Sequence, residues 1–182
     1  LERHTHHMGT LINAKLFGAT PEAVKHYAIV FEDKVTDYDD LMSVHKDTPL
    51  NEVNCRAGEP VEVPCEIADM TKQALAIADE TNGAFEPMIG PVVNLWKIGF
   101  GGEHVPSDEA IAEAVSKVDR SKVRVWREGG RCMMQIAKGQ SIDMGAIAKG
   151  FIGQRLSDIL KHEGMTRGVL DLGGNIVAVG EK

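Results

Sequence analysis

The longest regular pattern in the sequence is an amphipathic run, "TPEAVKHYAIVFEDKVTDYDDLMSV", which begins at Thr20. Thr20 is typical of an N-cap, and Pro21 is typical of the first helical position. Apolar residues recur along the run at the three-to-four spacing of one helix face, namely Val24, Ala28, Phe31, Val35, Tyr38 and Met42. The pattern predicts a long helix with one buried face, which a layered fold covers with another element.

One strand and two further helices are indicated in the region around this helix. Alternating apolar and polar residues in "MGTLINAKLFG" predict a strand. A second helix is predicted over residues 66–81, with Gly83 in the left-handed position after its end. Ser107 is expected to cap a short third helix. Residues 46–63 and the stretch "GPVVNLWKIGFGGEHVP" are predicted to be irregular.

Towards the C-terminus the pattern changes from helices to pairs of strands. "KVRVW" and "RCMMQIA" predict two strands around a turn at Gly129-Gly130, and "GVLDLGG" and "NIVAVG" predict two more around Gly173-Gly174. A helix is predicted between these pairs, over residues 147–162. The order of strand, helices, strands, helix and strands predicts an α+β domain with mixed α/β layers.

Composition and charge exclude several classes of protein. The length of 182 residues suits one domain, or two subdomains that share a core. The net charge of −7 argues against non-specific nucleic-acid binding, which requires a basic surface. No apolar run approaches the ~20 residues of a membrane span, and "LERHTHH" lacks the apolar segment of a signal peptide. These features fit a cytoplasmic protein, or an exported one without its leader.

The cysteines and histidines each allow two interpretations. Cys55 and Cys65 could close a small loop in an oxidising compartment, or both could be free thiols together with Cys132. The histidines within residues 1–7 could bind a metal, but a flexible N-terminal arm over these residues is the favoured interpretation. His45, considered alone, is a surface histidine.

The run "SIDMGAIAKGFIGQRL" is the first candidate site. Asp143, Gly145, Lys149 and Gly150 precede or open a helix, where free N–H groups and a lysine can receive a phosphate. The spacing is not that of a Walker A loop. The alternative is a strand-to-helix turn in which Asp143 caps the helix and Lys149 is solvated.

Two further stretches carry a candidate site. In "TNGAFEPMIGPVVNLW", Phe85 and Trp96 could stack on a flat ring and Glu86 could accept hydrogen bonds from a heterocycle. The alternative is that both aromatic side chains fill the core. "GVLDLGGNIVAVG" lacks the dinucleotide-binding G-x-G-x-x-G, so it indicates either a tight hairpin or a ligand loop.

Taken together, these stretches resemble the ApbE family, the FAD:protein FMN transferases. "MGT" resembles the family's opening, and "LMSVHKDTPLNEVN", with Ser43 and Asn54, resembles its helix end and following loop. "TNGAFEPMIGPVVNLW" resembles "T-D-G-A-F-D-x-T-x-G-P-L-x-x-L-W", and "IDMGAIAKGF" resembles "V-D-L-G-G-I-A-K-G-Y". "LDLGGNIVAVGEK" resembles the glycine strand that follows. Residues 8–182 are therefore expected to form the N-terminal part of an ApbE-like flavin transferase domain.

The resemblance implies a reaction and a location. Such enzymes bind FAD with Mg²⁺, cleave its pyrophosphate, and attach FMN to a threonine hydroxyl of a target flavoprotein, such as a membrane redox-pump subunit, while AMP leaves. They usually act outside the cytoplasm, in the periplasm or cell envelope and often as lipoproteins. The alternatives are an FAD pyrophosphatase, which releases FMN without an acceptor, and a non-catalytic FAD-binding module.

The resemblance also implies site residues. Asp143 and Lys149 would hold FAD, and the carbonyl oxygen of Ala146 would be a magnesium ligand. The residues implied to contact the flavin nucleotide are Met8, His45, Ala84, Phe85 and Glu86. Family members continue well beyond the point that matches Lys182, so the fold is expected to be truncated after the central glycine strand. The catalytic residues are expected in that missing part, and this chain alone is expected to be catalytically incomplete.

Three residues depart from the family pattern. His45 stands where the family usually has Tyr, and this change bears on whether FAD is hydrolysed or FMN is transferred. Glu86 replaces Asp and reaches one methylene further. Met88 replaces the usual Thr and removes a hydroxyl.

Overall fold

The computed structural model describes residues 1–42, 47–97 and 105–180. In this part the chain forms six α-helices and seven strands, and the strands form two antiparallel sheets. The chain divides into two compact units, one made of Leu1–His45 with Gly145–Lys182 and the other of Lys46–Met144. The predicted α+β architecture with mixed layers is confirmed.

The elements follow each other in an order that interleaves the two units. In chain order they are β1 (Glu2–His7), β2 (Thr10–Phe17), α1 (Pro21–Met42), α2 (Pro49–Cys55), β3 (Val61–Val63), α3 (Cys65–Glu80), α4 (Gly90–Trp96), α5 (Asp108–Ser116), β4 (Arg124–Glu128), β5 (Arg131–Gln135), α6 (Ala148–His162), β6 (Arg167–Leu172) and β7 (Asn175–Val179). Among the described helices, none combines the length and apolar character that crossing a membrane requires.

The first unit is a four-stranded sheet with α1 and α6 packed against it, in the strand order β1-β2-β6-β7. The long helix α1 begins at Pro21 as predicted, because the Thr20 hydroxyl accepts a hydrogen bond of 3.2 Å from the N–H of Ala23. The expected apolar face of α1 is buried at Ala28, Phe31, Val35, Tyr38 and Met42. The predicted strands around Gly173-Gly174 are β6 and β7.

The N-terminal residues form a strand, so the prediction of a flexible arm over residues 1–7 is wrong. Strand β1 pairs antiparallel with β2, from Glu2 opposite Lys15 to His7 opposite Thr10. Its burial alternates between exposed and half-buried residues, which is the pattern of a strand covered on one face. The polar composition of "ERHTHH" hid this strand, since partner hydrogen bonds rather than apolar burial define it.

The second unit is a three-stranded sheet, in the order β3-β5-β4, with α3 packed on it. The predicted second helix corresponds to α3, and the N–H of Gly83, at φ +79°, donates a hydrogen bond of 2.8 Å to the carbonyl oxygen of Ala78. The predicted hairpin is β4 and β5, with Gly129 and Gly130 at positive φ. The expected cap of α5 is confirmed, because the Ser107 hydroxyl accepts a 3.3 Å hydrogen bond from Ala110.

Short elements occupy two stretches that were predicted to be irregular. Residues 46–63 contain α2, which Thr48 caps by accepting a hydrogen bond of 3.3 Å from the N–H of Asn51, and the three-residue strand β3. The stretch that begins with Gly90 contains α4, whose first turn includes Pro91. These elements are too short for a periodic pattern to reveal them.

A disulfide joins Cys65 to Cys132, and Cys55 is an exposed free thiol. Both proposed states, a Cys55–Cys65 loop and three free thiols, are therefore wrong. Cys65 follows β3 closely, and β3 pairs with β5 so that Val63 lies opposite Cys132. The sheet register brings the two cysteines together, with a Cα–Cα distance of 5.3 Å.

Candidate flavin-nucleotide site

The predicted site residues divide between the two units. Those in the four-stranded unit are Met8, Ala146 and Lys149, and those in the three-stranded unit are Ala84, Phe85, Glu86 and Asp143. His45, together with Ser43, lies outside the described residues.

In the three-stranded unit, both carboxylate oxygens of Glu86 hold the turn that follows α3. One oxygen accepts a hydrogen bond of 3.0 Å from the N–H of Met88 and so caps the 3-10 helix Pro87–Ile89. The other accepts a hydrogen bond of 2.9 Å from the guanidinium of Arg120, and the side chain of Glu86 is only 14% exposed. Glu86 therefore shapes this turn, and its contact with a heterocycle stays a prediction.

Arg120 begins the 3-10 helix Arg120–Lys122 and contacts this turn, and sequence reasoning missed it. Its Nε donates a hydrogen bond of 2.8 Å to Asp79, while its Nη1 donates to Glu86. These two carboxylates, first Asp79 and then Glu86, raise the pKa of the Arg120 guanidinium above its usual value. The three side chains line a cleft of about 530 Å³. No local pattern in the sequence predicts that Arg120, in "VDRSKV", pairs with Glu86, which lies far from it in the sequence.

The aromatic residues near this turn are not in the core, contrary to the alternative weighed for them. Phe85 and Trp96 are each half-buried, while Ala84 is exposed. The N–H of Phe85 donates a hydrogen bond of 3.2 Å to the hydroxyl of Thr81. Met88, at the position where the family resemblance implies a threonine, is fully buried and packs in the core.

The structure joins this turn to the segment that carries Asp143. The N–H of Asp143 donates a hydrogen bond of 2.8 Å to the carbonyl oxygen of Pro87. At Gly90 the backbone comes so close to the segment that a Cβ atom would lie 2.5 Å from the carbonyl oxygen of Ser141. Glycine is required at this position, because any side chain would push the two segments apart. Two of the quoted motifs are thus neighbours in space, although more than 50 residues separate Pro87 from Asp143.

In the four-stranded unit, Met8 forms the turn between β1 and β2. Met8 and Gly9 have φ angles of +52° and +68°, as a two-residue turn with both central residues in the left-handed region requires. The buried carboxylate of Asp39 on α1 accepts a hydrogen bond of 2.9 Å from the N–H of Met8 and lies 3.4 Å from the Nδ1 of His7. This anchor holds a non-glycine residue in a conformation that it rarely adopts alone.

The β6–β7 turn and the Met8 turn lie at the same end of the strands of this sheet. A Cβ atom on Gly173 would lie 2.8 Å from the Cγ2 of Thr10, the residue that starts β2. A Cβ atom on Gly153 of α6 would lie 3.4 Å from the side-chain nitrogen of Asn175, the residue that starts β7. The two turns and the beginning of α6 therefore lie close together at one end of the strands of the four-stranded sheet.

The beginning of α6 has the features of an anion site. Its N-cap is Ile147, whose side chain makes no capping hydrogen bond, so the interpretation of Asp143 as the cap is wrong. The first N–H groups of a helix carry partial positive charge and bind phosphate when no side chain caps them. Lys149, half-buried in the first turn, adds a full positive charge.

The described residues offer few metal ligands. Ala146 is exposed in the loop before α6, where its carbonyl oxygen is a suitable ligand type for Mg²⁺. Within residues 1–42, 47–97 and 105–180, no three or more His, Cys, Asp or Glu side chains form a group that could hold a metal ion. The assignment of Ala146 as a magnesium ligand therefore stays a prediction.

Comparison with known proteins identifies the family. The model of the ApbE family matches residues 8–182, and the chain belongs to this family. A relative from Treponema pallidum (strain Nichols), named FAD:protein FMN transferase, is 34% identical over 96% of this chain and 50% of its own length. The chain spans about half the length of the relatives that it matches.

Solved structures of the family share the fold. The flavin transferase ApbE from Vibrio cholerae superposes with a TM-score of 0.85 at 26% identity, covering 100% of this chain and 60% of that one. The apo form of the Pseudomonas stutzeri flavinyl transferase ApbE has a TM-score of 0.88 at 23% identity, over 100% of this chain and 59% of that one. The predicted ApbE-like fold is therefore confirmed.

Proposed function

We propose that this chain binds FAD as part of an FAD:protein FMN transferase. The main support is the hydrogen bond between Asp143 and Pro87, because it makes neighbours of two sequence motifs that share no local reason to meet. The names of the relatives give the reaction class. The Mg²⁺ requirement and the threonine acceptor come from the family resemblance alone.

In this proposal the candidate residues make different kinds of contact with FAD. The uncapped first turn of α6 and the charge of Lys149 bind the diphosphate, which is the only strongly anionic part of the molecule. The turn with Ala84, Phe85 and Glu86 contacts the flavin nucleotide, as does Met8, which Asp39 holds in place. Asp143, with its backbone fixed against Pro87, contributes a carboxylate that accepts hydrogen bonds from FAD.

Transfer replaces the phosphoanhydride bond of FAD by a phosphoester bond to the acceptor. The threonine hydroxyl oxygen of the acceptor attacks the phosphorus on the FMN side of the diphosphate, the bond to the AMP oxygen breaks, and the hydroxyl proton passes to a base. We propose that the carbonyl oxygen of Ala146 would be a ligand of Mg²⁺, and the bound ion would neutralise charge that develops on the leaving phosphate. We also propose, from the family resemblance, that this chain alone binds FAD and releases little AMP.

We propose that the protein acts outside the cytoplasm, in the periplasm or cell envelope. The Cys65–Cys132 disulfide supports this location, because structural disulfides persist in oxidising compartments and are rare in the cytosol. Mass spectrometry after alkylation of the protein from its native compartment tests the location. One alkylated thiol, at Cys55, is expected, whereas three would contradict the proposal.

The reaction is tested by mixing the purified chain with FAD, Mg²⁺ and a flavoprotein domain that bears an acceptor threonine. AMP in solution, flavin covalently bound to the acceptor and free FMN are measured separately. Saturable binding of FAD with little release of AMP supports the proposal, and Lys149→Ala in place of wild type should lower the affinity for FAD about ten- to a hundredfold. Free FMN with stoichiometric AMP would indicate a pyrophosphatase instead, and absence of FAD binding would overturn the proposal altogether.

A further inference from the structure

The side chain of Asn54 makes two hydrogen bonds with the backbone of one distant residue. Its Oδ1 accepts a hydrogen bond of 2.7 Å from the N–H of Ile142, and its Nδ2 donates one of 3.0 Å to the carbonyl oxygen of Ile142. Asn54 lies in the last turn of α2, 88 residues before Ile142. A neighbouring strand would satisfy the same two backbone groups, so the carboxamide replaces a strand here.

The peptide group between Ile142 and Asp143 is held from both sides by this arrangement. Its carbonyl oxygen accepts from Asn54, and its N–H donates to the carbonyl oxygen of Pro87. The surrounding residues 140–143 belong to no helix or strand, so no ladder of backbone hydrogen bonds orients this peptide. Because a peptide group is planar, fixing both its oxygen and its hydrogen fixes the direction in which the chain enters Asp143.

We infer that Asn54 is a positioning residue for the carboxylate of Asp143 in the FAD site. The inference rests on the proposed function, since it gives Asn54 a role only through the binding of FAD by Asp143. Ile142 is buried, with 2% of its surface exposed. A change in the orientation of its peptide would therefore stand out against well-packed surroundings. Removal of the Asn54 carboxamide leaves the Ile142–Asp143 peptide held from one side only, by Pro87.

The experiment measures FAD affinity for a double-mutant cycle of Asn54→Ala and Asp143→Ala in the whole chain. If Asn54 acts through Asp143, we expect Asn54→Ala to weaken FAD binding about tenfold in the wild-type background. We expect it to have no further effect when Asp143 is already alanine, because coupled residues are non-additive. Equal effects of Asn54→Ala in both backgrounds would overturn the inference and indicate general destabilisation.

Hydrogen exchange supplies the structural readout. The amide of Ile142 should lose protection in Asn54→Ala, while the amide of Gly83, which donates to Ala78 in the same unit, stays protected. Unchanged protection at Ile142 would contradict the inference. If Asn54→Ala does not fold, Asn54→Asp replaces it, since the carboxylate keeps the acceptor for the Ile142 N–H and loses only the donor.

Asn94→Ala is the matched control. Its carboxamide donates a hydrogen bond of 3.4 Å to the hydroxyl of Ser141, in the same segment. FAD affinity should be unchanged in this variant, and a loss equal to that of Asn54→Ala would contradict the specific role of Asn54. Failure of the wild-type chain to bind FAD would overturn the proposed function and this role together, whereas normal binding with an additive cycle would overturn this role alone.

Discussion

The backbone N–H of Asp143 donates a 2.8 Å hydrogen bond to the carbonyl oxygen of Pro87. This bond connects the turn after α3 to the segment before α6 within the three-stranded unit, and the absent side chain of Gly90 lets the two segments approach. Both segments carry residues that the family resemblance assigns to FAD. The bond therefore makes the position of Asp143 depend on the packing of the Pro87–Gly90 turn.

Gly90→Ala should separate these two segments. The added Cβ atom would lie 2.5 Å from a backbone oxygen, which cannot move aside as a flexible side chain can. We expect the free energy of unfolding to fall by about 1–3 kcal/mol, as overpacking usually costs. Urea unfolding measures this change. Gly150→Ala is the control, because its Cβ atom would meet nothing closer than 3.9 Å and alanine favours the helix. Equal stability of the two variants would refute the close packing at Gly90.

Asp39→Ala should loosen the turn at Met8. Asp39 is buried and accepts the N–H of Met8, so its removal leaves that N–H without this acceptor. We expect a loss of about 1–3 kcal/mol in the free energy of unfolding. Faster hydrogen exchange at the Met8 amide should accompany the loss. Asp33→Ala, at an exposed position of the same helix, should leave both quantities unchanged; similar losses in the two variants would argue against the anchor.

Arg120→Ala should weaken FAD binding through Glu86. The variant removes the charge that holds one oxygen of Glu86 and leaves two carboxylates, Asp79 and Glu86, facing one cleft. We expect FAD affinity to fall about threefold to tenfold, the range for loss of one hydrogen bond. Arg120→Lys should not restore the affinity, since an ammonium group lacks the planar fork that bonds both carboxylates.

Equilibrium titration with FAD measures these affinities. Arg124→Ala is the control, because Arg124 lies on the hairpin with its guanidinium over the ring of Trp126. Affinity that is unchanged in Arg120→Ala would show that Glu86 needs no support from Arg120, or does not contact FAD.

Reduction of the Cys65–Cys132 disulfide should destabilise the protein. The bond joins cysteines that are 67 positions apart in the sequence. Such cross-links typically contribute about 2–4 kcal/mol to the free energy of unfolding. Urea unfolding of Cys65→Ser, or of wild type with and without reductant, measures the loss. Cys55→Ser should unfold like wild type, because Cys55 is free and exposed. Insensitivity of the wild type to reductant would contradict the disulfide.

The sequence predicted the helices that are long enough to show a repeating apolar pattern and the hairpins whose turns contain a glycine pair. The buried stripe of α1 continues from Ala28 to Met42, and the glycine pairs at positions 129–130 and 173–174 mark both hairpins. By contrast, β3 has three residues and α2 has seven, so neither presents a repeated pattern. Their existence depends on partners elsewhere in the chain, such as the pairing of Val63 with Cys132.

The candidate site divides in the same way. The glycine-rich motifs around Phe85 and Lys149 are visible in the sequence, because special backbone geometry needs glycine at fixed positions. No sequence pattern identifies Asn54 or Arg120, because an amide or a guanidinium acquires its role from a partner that is distant in the sequence. The pairing of Cys65 with Cys132 was missed for the same reason: it follows from sheet register, which the spacing of cysteines does not determine.

The central claim is that the segments around Asp143 and Lys149 bind FAD. Its most direct measurement is equilibrium titration with FAD, in the presence of Mg²⁺, of wild type, Asp143→Ala, Lys149→Ala and the control Lys161→Ala at the other end of α6. We predict saturable binding by wild type and Lys161→Ala, and affinity about ten- to a hundredfold lower in the other two variants, with thermal unfolding unchanged. The same affinity in all four proteins would contradict the claim.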